Sequence, residues 1–295
     1  MQLSQILSHI NPLSHEDDQK ITEIFHGLKE KYTQYKDPWG FDLGLCESTL
    51  RTLIPLYRQY FKVRVFGAEH VLDRPYIVVS NHTGQIPLDG MLITMAFLMD
   101  VAPPRILRAM VERFMAQLPF LGTFAAQTGS ILGDRANCQF LIENKESILV
   151  FPEGVRGVSK STPQFYKLQS FTLGFYRIAL QNQTPILPVA VIGAEEMFPF
   201  VWHVKSIAKF FKVPALPLTL NTVPLPSPID IHIGKPIEVN RELSFEAPDK
   251  EIKEQVVKVE AQIKRLIAVG LKHRRPFFDE IRKPLSKFIR HQGES

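Results

Sequence analysis

Apolar positions recur at helical spacing over the first sixty residues. Ile21, Ile24, Phe25, Leu28 and Tyr32 form one set, and Leu50, Leu53, Ile54, Tyr57 and Phe61 a second. Residues three and four apart share a helix face, so each set predicts an amphipathic helix. Between them "YKDPWGFD", with its Asp-Pro and Gly, predicts a turn. From residue 62 the pattern shortens. "KVRVFG" alternates as a half-buried strand does, and "YIVVS" is a continuous apolar run of the kind buried on both faces. A helix is expected from about Asp89 to Met99. "SILVF" and "PILPVAVIG" are further buried strands, and between them lie the helical patterns "RANCQFLIENK", capped by Asp134, and "SFTLGFYRIALQ". "LPLTLNTV" and "IDIHIG" predict two more strands, and Pro248 to about Val269 a long helix.

Strands alternating with helices over residues 62–237 predict an α/β fold with a central, mostly parallel sheet flanked by helices, extended by helical segments at both ends. The expected organisation is an N-terminal helical segment (1–61), a main domain (62–240) and a C-terminal helical basic segment (241–295). In such sheets polar chemistry collects where strands end and loops begin.

Charge sharpens this picture. The net formal charge is +5, and residues 249–295 hold twelve lysines and arginines against seven acids, so the rest of the chain is neutral. Within "LKHRRPFFDEIRKPLSKFIRHQ", Phe277, Phe278, Ile281, Leu285, Phe288 and Ile289 are interleaved with Arg274, Arg275, Arg282, Lys283, Lys287 and Arg290. A basic amphipathic helix over 274–290 reads as a surface for anionic lipid, or as a solvated helix packing its aromatic face on the main domain. Pro284 would kink it. The basic excess is confined to this segment and no nucleic-acid motif accompanies it, which argues against a nucleic-acid partner. The N-terminus shows no secretory signal pattern and no window is apolar enough for a membrane span. Two cysteines, Cys46 and Cys138, give no disulfide framework and fit a reducing, cytoplasmic setting. The nine histidines show no metal-ligand spacing.

Three polar clusters follow strand patterns. Ser80-Asn81-His82 closes "YIVVS", with Asp89 seven positions on. Histidine exchanges a proton near neutral pH, and a carboxylate beside it can fix its tautomer and stabilise the imidazolium. The same residues also fit a capped turn, and Pro87 requires a loop to bring the acid back to the ring. "GSILGDR", from Gly129 to Arg135, sets an arginine at a helix start, suited to phosphate or equally to solvent. "VFPEGVRGVSKS" runs a buried strand into Glu153-Gly154-Val155-Arg156-Gly157, where two glycines allow close backbone approach and Arg156 and Lys160 offer positive charge. The alternative there is a plain turn with a Glu–Arg ion pair. There is no Gly-x-Ser-x-Gly elbow and no P-loop.

Taken in order, Asn81-His82…Asp89, "GSILGDR", "FPEGVR" and "ILPVAV" resemble the four sequence blocks of the glycerolipid acyltransferase family, that of 1-acylglycerol-3-phosphate acyltransferases. The six residues between His82 and Asp89 exceed the family's usual four and resemble a subset with a His-x6-Asp first block; Val155 stands where threonine is usual. The resemblance implies transfer of a fatty acyl group from acyl-CoA or acyl-carrier protein to a lysophospholipid hydroxyl, lysophosphatidic acid foremost, in phospholipid biosynthesis. His82 and Asp89 would be catalytic, and Gly129, Arg135, Glu153, Gly154 and Arg156 would bind substrate. No metal or cofactor beyond the acyl donor is implied. A cytoplasmic protein peripheral to the inner face of a membrane is expected. The alternatives are the same chemistry on glycerol-3-phosphate, another lysolipid or a neutral alcohol, and a non-catalytic membrane lipid-binding protein.

Overall fold

The computed structural model describes residues 11–34, 37–83, 88–158, 160–198, 201–203, 217–219, 221 and 223–275. Pro87, and the basic segment from 276 onward, lie outside them. Two helices, α1 (His15–Gln34) and α2 (Leu43–Pro55), precede the sheet. Asp42 caps α2 by accepting from the Leu45 N–H. There follow β1 (Arg64–Phe66), β2 (Ile77–Ser80), α3 (Leu88–Met99), β3 (Leu107–Val111), and the short helices α4 (Arg113–Ala116) and α5 (Leu121–Gln127). Next come β4 (Ile131–Leu132), α6 (Arg135–Glu143), β5 (Ser147–Val150), α7 (Val155–Val158), α8 (Gly174–Asn182) and β6 (Ile186–Ile192). β7 (Val201–His203) and β8 (Pro217–Thr219) form a separate two-stranded antiparallel sheet, and β9 (Asp230–Ile233) completes the main sheet before α9 (Asp249–Lys272).

The main sheet has seven strands in the order β1-β9-β6-β2-β5-β3-β4. Every neighbouring pair is parallel except β6 with β9. The expected mostly parallel α/β sheet is what forms. Helices cover both faces, which is why strands such as "IVVS" are buried along their whole length. Along β2, Val78 packs with α1, α2 and α3, whereas Ile77 and Val79 pack with α6, α8 and α9. Among the described residues no helix is long and apolar enough to cross a membrane.

Two strands of the main sheet lacked a readable pattern. β3, "LRAMV", carries Arg108 in its middle, a charge that breaks an apolar run. The structure buries Arg108 completely by bonding it to the Asp37 carboxylate at 2.6 Å and the Gly129 carbonyl at 3.0 Å. β4 is only two residues long, held by the register Met110–Ile131 and Val111–Leu132.

Candidate active site

β2, β3, β5 and β6 run parallel, so their carboxyl ends open onto one edge of the sheet. The loop after β2 brings His82, the loop after β5 brings Glu153, and the turn after β6 brings Glu195. Position on this shared edge is what gathers residues more than a hundred apart in sequence.

The side chain of Asn81 shapes the first of these loops. It donates to the Val191 carbonyl at 3.1 Å and accepts from the Val191 N–H at 2.9 Å, extending the β2–β6 ladder by one side-chain pair. This fixes where β2 ends and His82 begins. The His82 N–H then donates to Glu153 Oε1 at 2.8 Å, and its ring stacks on Phe151, centroids 4.3 Å apart. Gly157 permits the approach: a Cβ there would lie 2.6 Å from the His82 Cβ.

Asp89 opens α3 and is fully buried. Its Oδ2 accepts from His82 Nδ1 at 2.7 Å and from the Thr83 N–H at 2.8 Å, and its Oδ1 accepts from the Gly90 N–H at 2.8 Å. A carboxylate can only accept, so Nδ1 carries a proton, and the neutral form of the ring then has its lone pair at Nε2. The His82 side chain stays 14% exposed, so the ring is reachable from outside while its partner is not. The six-residue gap does deliver the acid to the imidazole. A carboxylate bonded at Nδ1 of a partly exposed imidazole is the arrangement of a general base.

The remaining predicted residues divide. Glu153 is buried and both its oxygens are engaged inside the protein. Oε1 accepts from His82, and Oε2 accepts from the Gln169 N–H at 2.6 Å and Lys160 Nζ at 3.0 Å. Its ion pair is therefore with Lys160, not Arg156, and its carboxylate faces the backbone of His82 instead of an open pocket. Lys160 is itself buried between Glu153 and Glu195, so its charge is not presented outward. Gly154 adopts φ +56 in the turn after β5, where a Cβ would come within 3.6 Å of Glu112. Arg156 is exposed and donates to the Ser170 carbonyl at 2.9 Å. Arg135 is also exposed, but donates to Gln181 Oε1 at 2.7 Å and lies over the Phe245 ring, sharing no partner with His82. Gly129 is buried at φ +104 with its carbonyl on Arg108, a structural position in the core.

Glu195 had no motif to mark it. It lies in the turn after the strand "ILPVAVI", on the same sheet edge as His82, which is the signal a strand-end reading could have used. Burial pushes its carboxyl up to about 7, offset in part by Lys160 and the Tyr166 N–H. Among the described residues no group of three or more His, Cys, Asp or Glu could hold a metal. Both cysteines are buried with thiols pushed up to about 12 by burial, which leaves them unreactive at neutral pH.

The sequence model described as Acyltransferase matches residues 62–192, the span that runs from β1 through β6 and holds His82, Asp89 and Glu153. That segment is a domain of the glycerolipid acyltransferase family. It is 33% identical over 224 residues to an uncharacterized protein of Mycobacterium tuberculosis, covering 72% of this chain and 63% of that protein. The chain thus spans less than two thirds of that relative's length. Over 140 residues it is 31% identical to the 1-acyl-sn-glycerol-3-phosphate acyltransferase of Saccharomyces cerevisiae, covering 44% of this chain and 42% of the yeast protein. The fold is that of the crystal structure of a 1-acyl-sn-glycerophosphate acyltransferase from Thermotoga maritima, with a TM-score of 0.53 at 19% identity over 87% of this chain and 96% of that one.

Proposed function

We propose that the protein is an O-acyltransferase that moves a fatty acyl group from acyl-CoA or acyl-carrier protein to the hydroxyl of a lysophospholipid, converting lysophosphatidic acid to phosphatidic acid. The observation that carries this reading is the 2.7 Å bond from Nδ1 of the partly exposed His82 ring to the buried Asp89. Nε2 takes the proton of the acceptor hydroxyl as its oxygen attacks the thioester carbonyl. Asp89 stabilises the imidazolium that forms, and collapse of the tetrahedral intermediate expels the thiolate, which recovers the proton. Nothing in this sequence of steps calls for a serine nucleophile. The names of the yeast and Thermotoga relatives support the lysophosphatidate acceptor. Arg156, exposed on α7 four residues after Pro152, is the proposed partner of its phosphate.

A positioned base contributes ~10²–10⁴ in rate. With acyl-CoA and lysophosphatidic acid, His82→Ala is expected to lose at least that range, read as release of free thiol. Asp89→Asn is expected to lower kcat with little change in KM. Full activity in His82→Ala excludes the base.

Arg135 gives a second reading its footing. Its guanidinium is already engaged by Gln181 and Phe245, which leaves fewer cations for a phosphate and suits a neutral alcohol acceptor. A panel of lysophosphatidic acid, glycerol-3-phosphate, other lysolipids and neutral alcohols separates the two. Arg156→Ala should raise KM for phosphate-bearing acceptors alone; equal KM across the panel points to the neutral acceptor. A lysophospholipid acceptor resides in membranes, and the protein is proposed to act at a membrane's inner surface, docked through the basic 274–290 segment.

A further inference from the structure

Beneath His82 lies a network that the acyl-transfer steps leave unused. Lys160 is 4% exposed and donates in three directions: to the His82 carbonyl at 3.1 Å, to Glu153 at 3.0 Å and to Glu195 Oε1 at 3.5 Å. Glu153 in turn accepts the His82 N–H. The main chain of His82 is therefore gripped at both polar atoms by two side chains that are themselves buried and joined to each other. Glu195, 1% exposed, holds the far side of the ammonium and is fixed by the backbone N–H of Tyr166. The Tyr166 hydroxyl accepts from the Gly193 N–H at 3.0 Å and donates to Glu196, which Arg274 pairs from the other side. Desolvating an ammonium and two carboxylates is costly, and a buried ion network is weak evidence for stability alone. Apolar residues of the same volume would pack this space more simply, so the arrangement has a use beyond holding the fold.

We propose that Lys160 and Glu195 are positioning residues of the acyl-transfer site: Lys160 fixes the main chain of His82, and Glu195 fixes where the Lys160 ammonium sits. The proposal rests on His82 being the base. Neither residue touches a substrate; both act through the imidazole's location, on which rate depends steeply, a misplacement of about 1 Å costing roughly 10²-fold. The groups facing Glu195 are Lys160, Glu153 and the Tyr166 N–H, with Glu196 and Arg274 on the outer side. Its carboxyl, raised to about 7 by burial, makes the grip on Lys160 depend on protonation near neutrality.

The test compares kcat and KM of the wild-type protein, Glu195→Gln, Lys160→Met and the double variant, using acyl-CoA with lysophosphatidic acid and checking each fold by thermal melting. Lys160→Met leaves two carboxylates facing each other and is expected to melt early; adding Glu195→Gln should recover much of that loss. The recovered double variant should still turn over about 30-fold more slowly, with KM within about twofold, because the His82 carbonyl has lost its donor. Wild-type kcat in a folded double variant overturns the role of Lys160. Glu195→Gln is isosteric and stands as an independent arm: a kcat reduced about fivefold or more and loss of a transition near pH 7 in its pH profile are expected. Unchanged kcat and an unchanged profile overturn the role of Glu195. His82→Ala separates this proposal from the one beneath it, since full activity there removes the base itself, whatever Lys160 and Glu195 do.

Discussion

At the scale of single residues, the site is governed by contacts that sequence alone does not display. Gly157 shows this most directly. Its φ is not in the left-handed region, so alanine suits its backbone, yet an alanine Cβ would lie 2.6 Å from His82 and 2.9 Å from Glu153. Gly157→Ala is therefore expected to fold and to lose roughly 10²-fold in kcat as His82 is pushed from its place. Wild-type kcat would show that the imidazole tolerates the shift. Glu195 gives a second prediction, with a definite sign. Between the ordinary carboxylate range and about pH 7 the unfolded chain has released this proton while the folded protein retains it. The folded state binds more protons over that window, so this group makes stability fall as pH rises through it, by on the order of 3 kcal/mol. Glu195→Gln should lack that slope. Denaturant midpoints of the two proteins measured from pH 5 to 8 should converge at the acid end and favour the variant at the alkaline end; parallel curves would show that Glu195 does not titrate there.

At the scale of elements, the way the N-terminal helices are tied to the sheet depends on a buried charge. Asp37 sits in the turn between α1 and α2, accepts the N–H groups of Trp39 and Phe41, and pairs with Arg108 in the middle of β3. Arg108 is fully buried, with its second terminal nitrogen lacking a hydrogen-bond partner among the described residues and its guanidinium over the Phe41 ring. Removing one partner of a buried pair typically costs about 3–5 kcal/mol, because the other charge is left unsolvated. Asp37→Ala is expected to destabilise by that amount, read from urea unfolding. A loss below about 1 kcal/mol would place the pair among ordinary surface bridges. The cap at Asp134 was readable because capping is local: its carboxylate accepts the Asn137 N–H at 2.8 Å, and α6 begins one residue later, at Arg135. The Asp37–Arg108 pair spans 71 positions, and no local rule announces it.

At the scale of the whole molecule, the chain's charge asymmetry carries the proposed membrane role. All of the net +5 resides in 249–295, and α9 binds the sheet through Ile252, Val256, Val259 and Ile263, all fully buried. Deleting 276–295 removes basic residues beyond that packed helix, each worth about 1 kcal/mol near an anionic bilayer. Sedimentation with phosphatidylserine vesicles is expected to fall steeply on this deletion and at high salt. Unchanged binding would assign docking to another surface. The deleted protein should keep its thermal midpoint, since the buried face of α9 is intact.

What the sequence determined by itself was whatever depends on near neighbours or on periodicity. Apolar runs such as "YIVVS" and "PILPVAVIG" specified strands covered on both faces, and four ordered blocks specified the family. Where the tertiary structure decided, the deciding contacts join distant strands. Glu153 and Lys160 were readable as polar residues beside two glycines, yet their direction, inward beneath His82, follows from β5 and β2 lying side by side. Glu195 comes beneath His82 because β6 flanks β2 on the other side, and Arg135 bonds Gln181 because α6 turns its first residue toward α8. Hydrophobic patterning fixes which face of an element is buried. It does not fix which polar ends then meet, because that depends on strand order, a property of the assembled sheet.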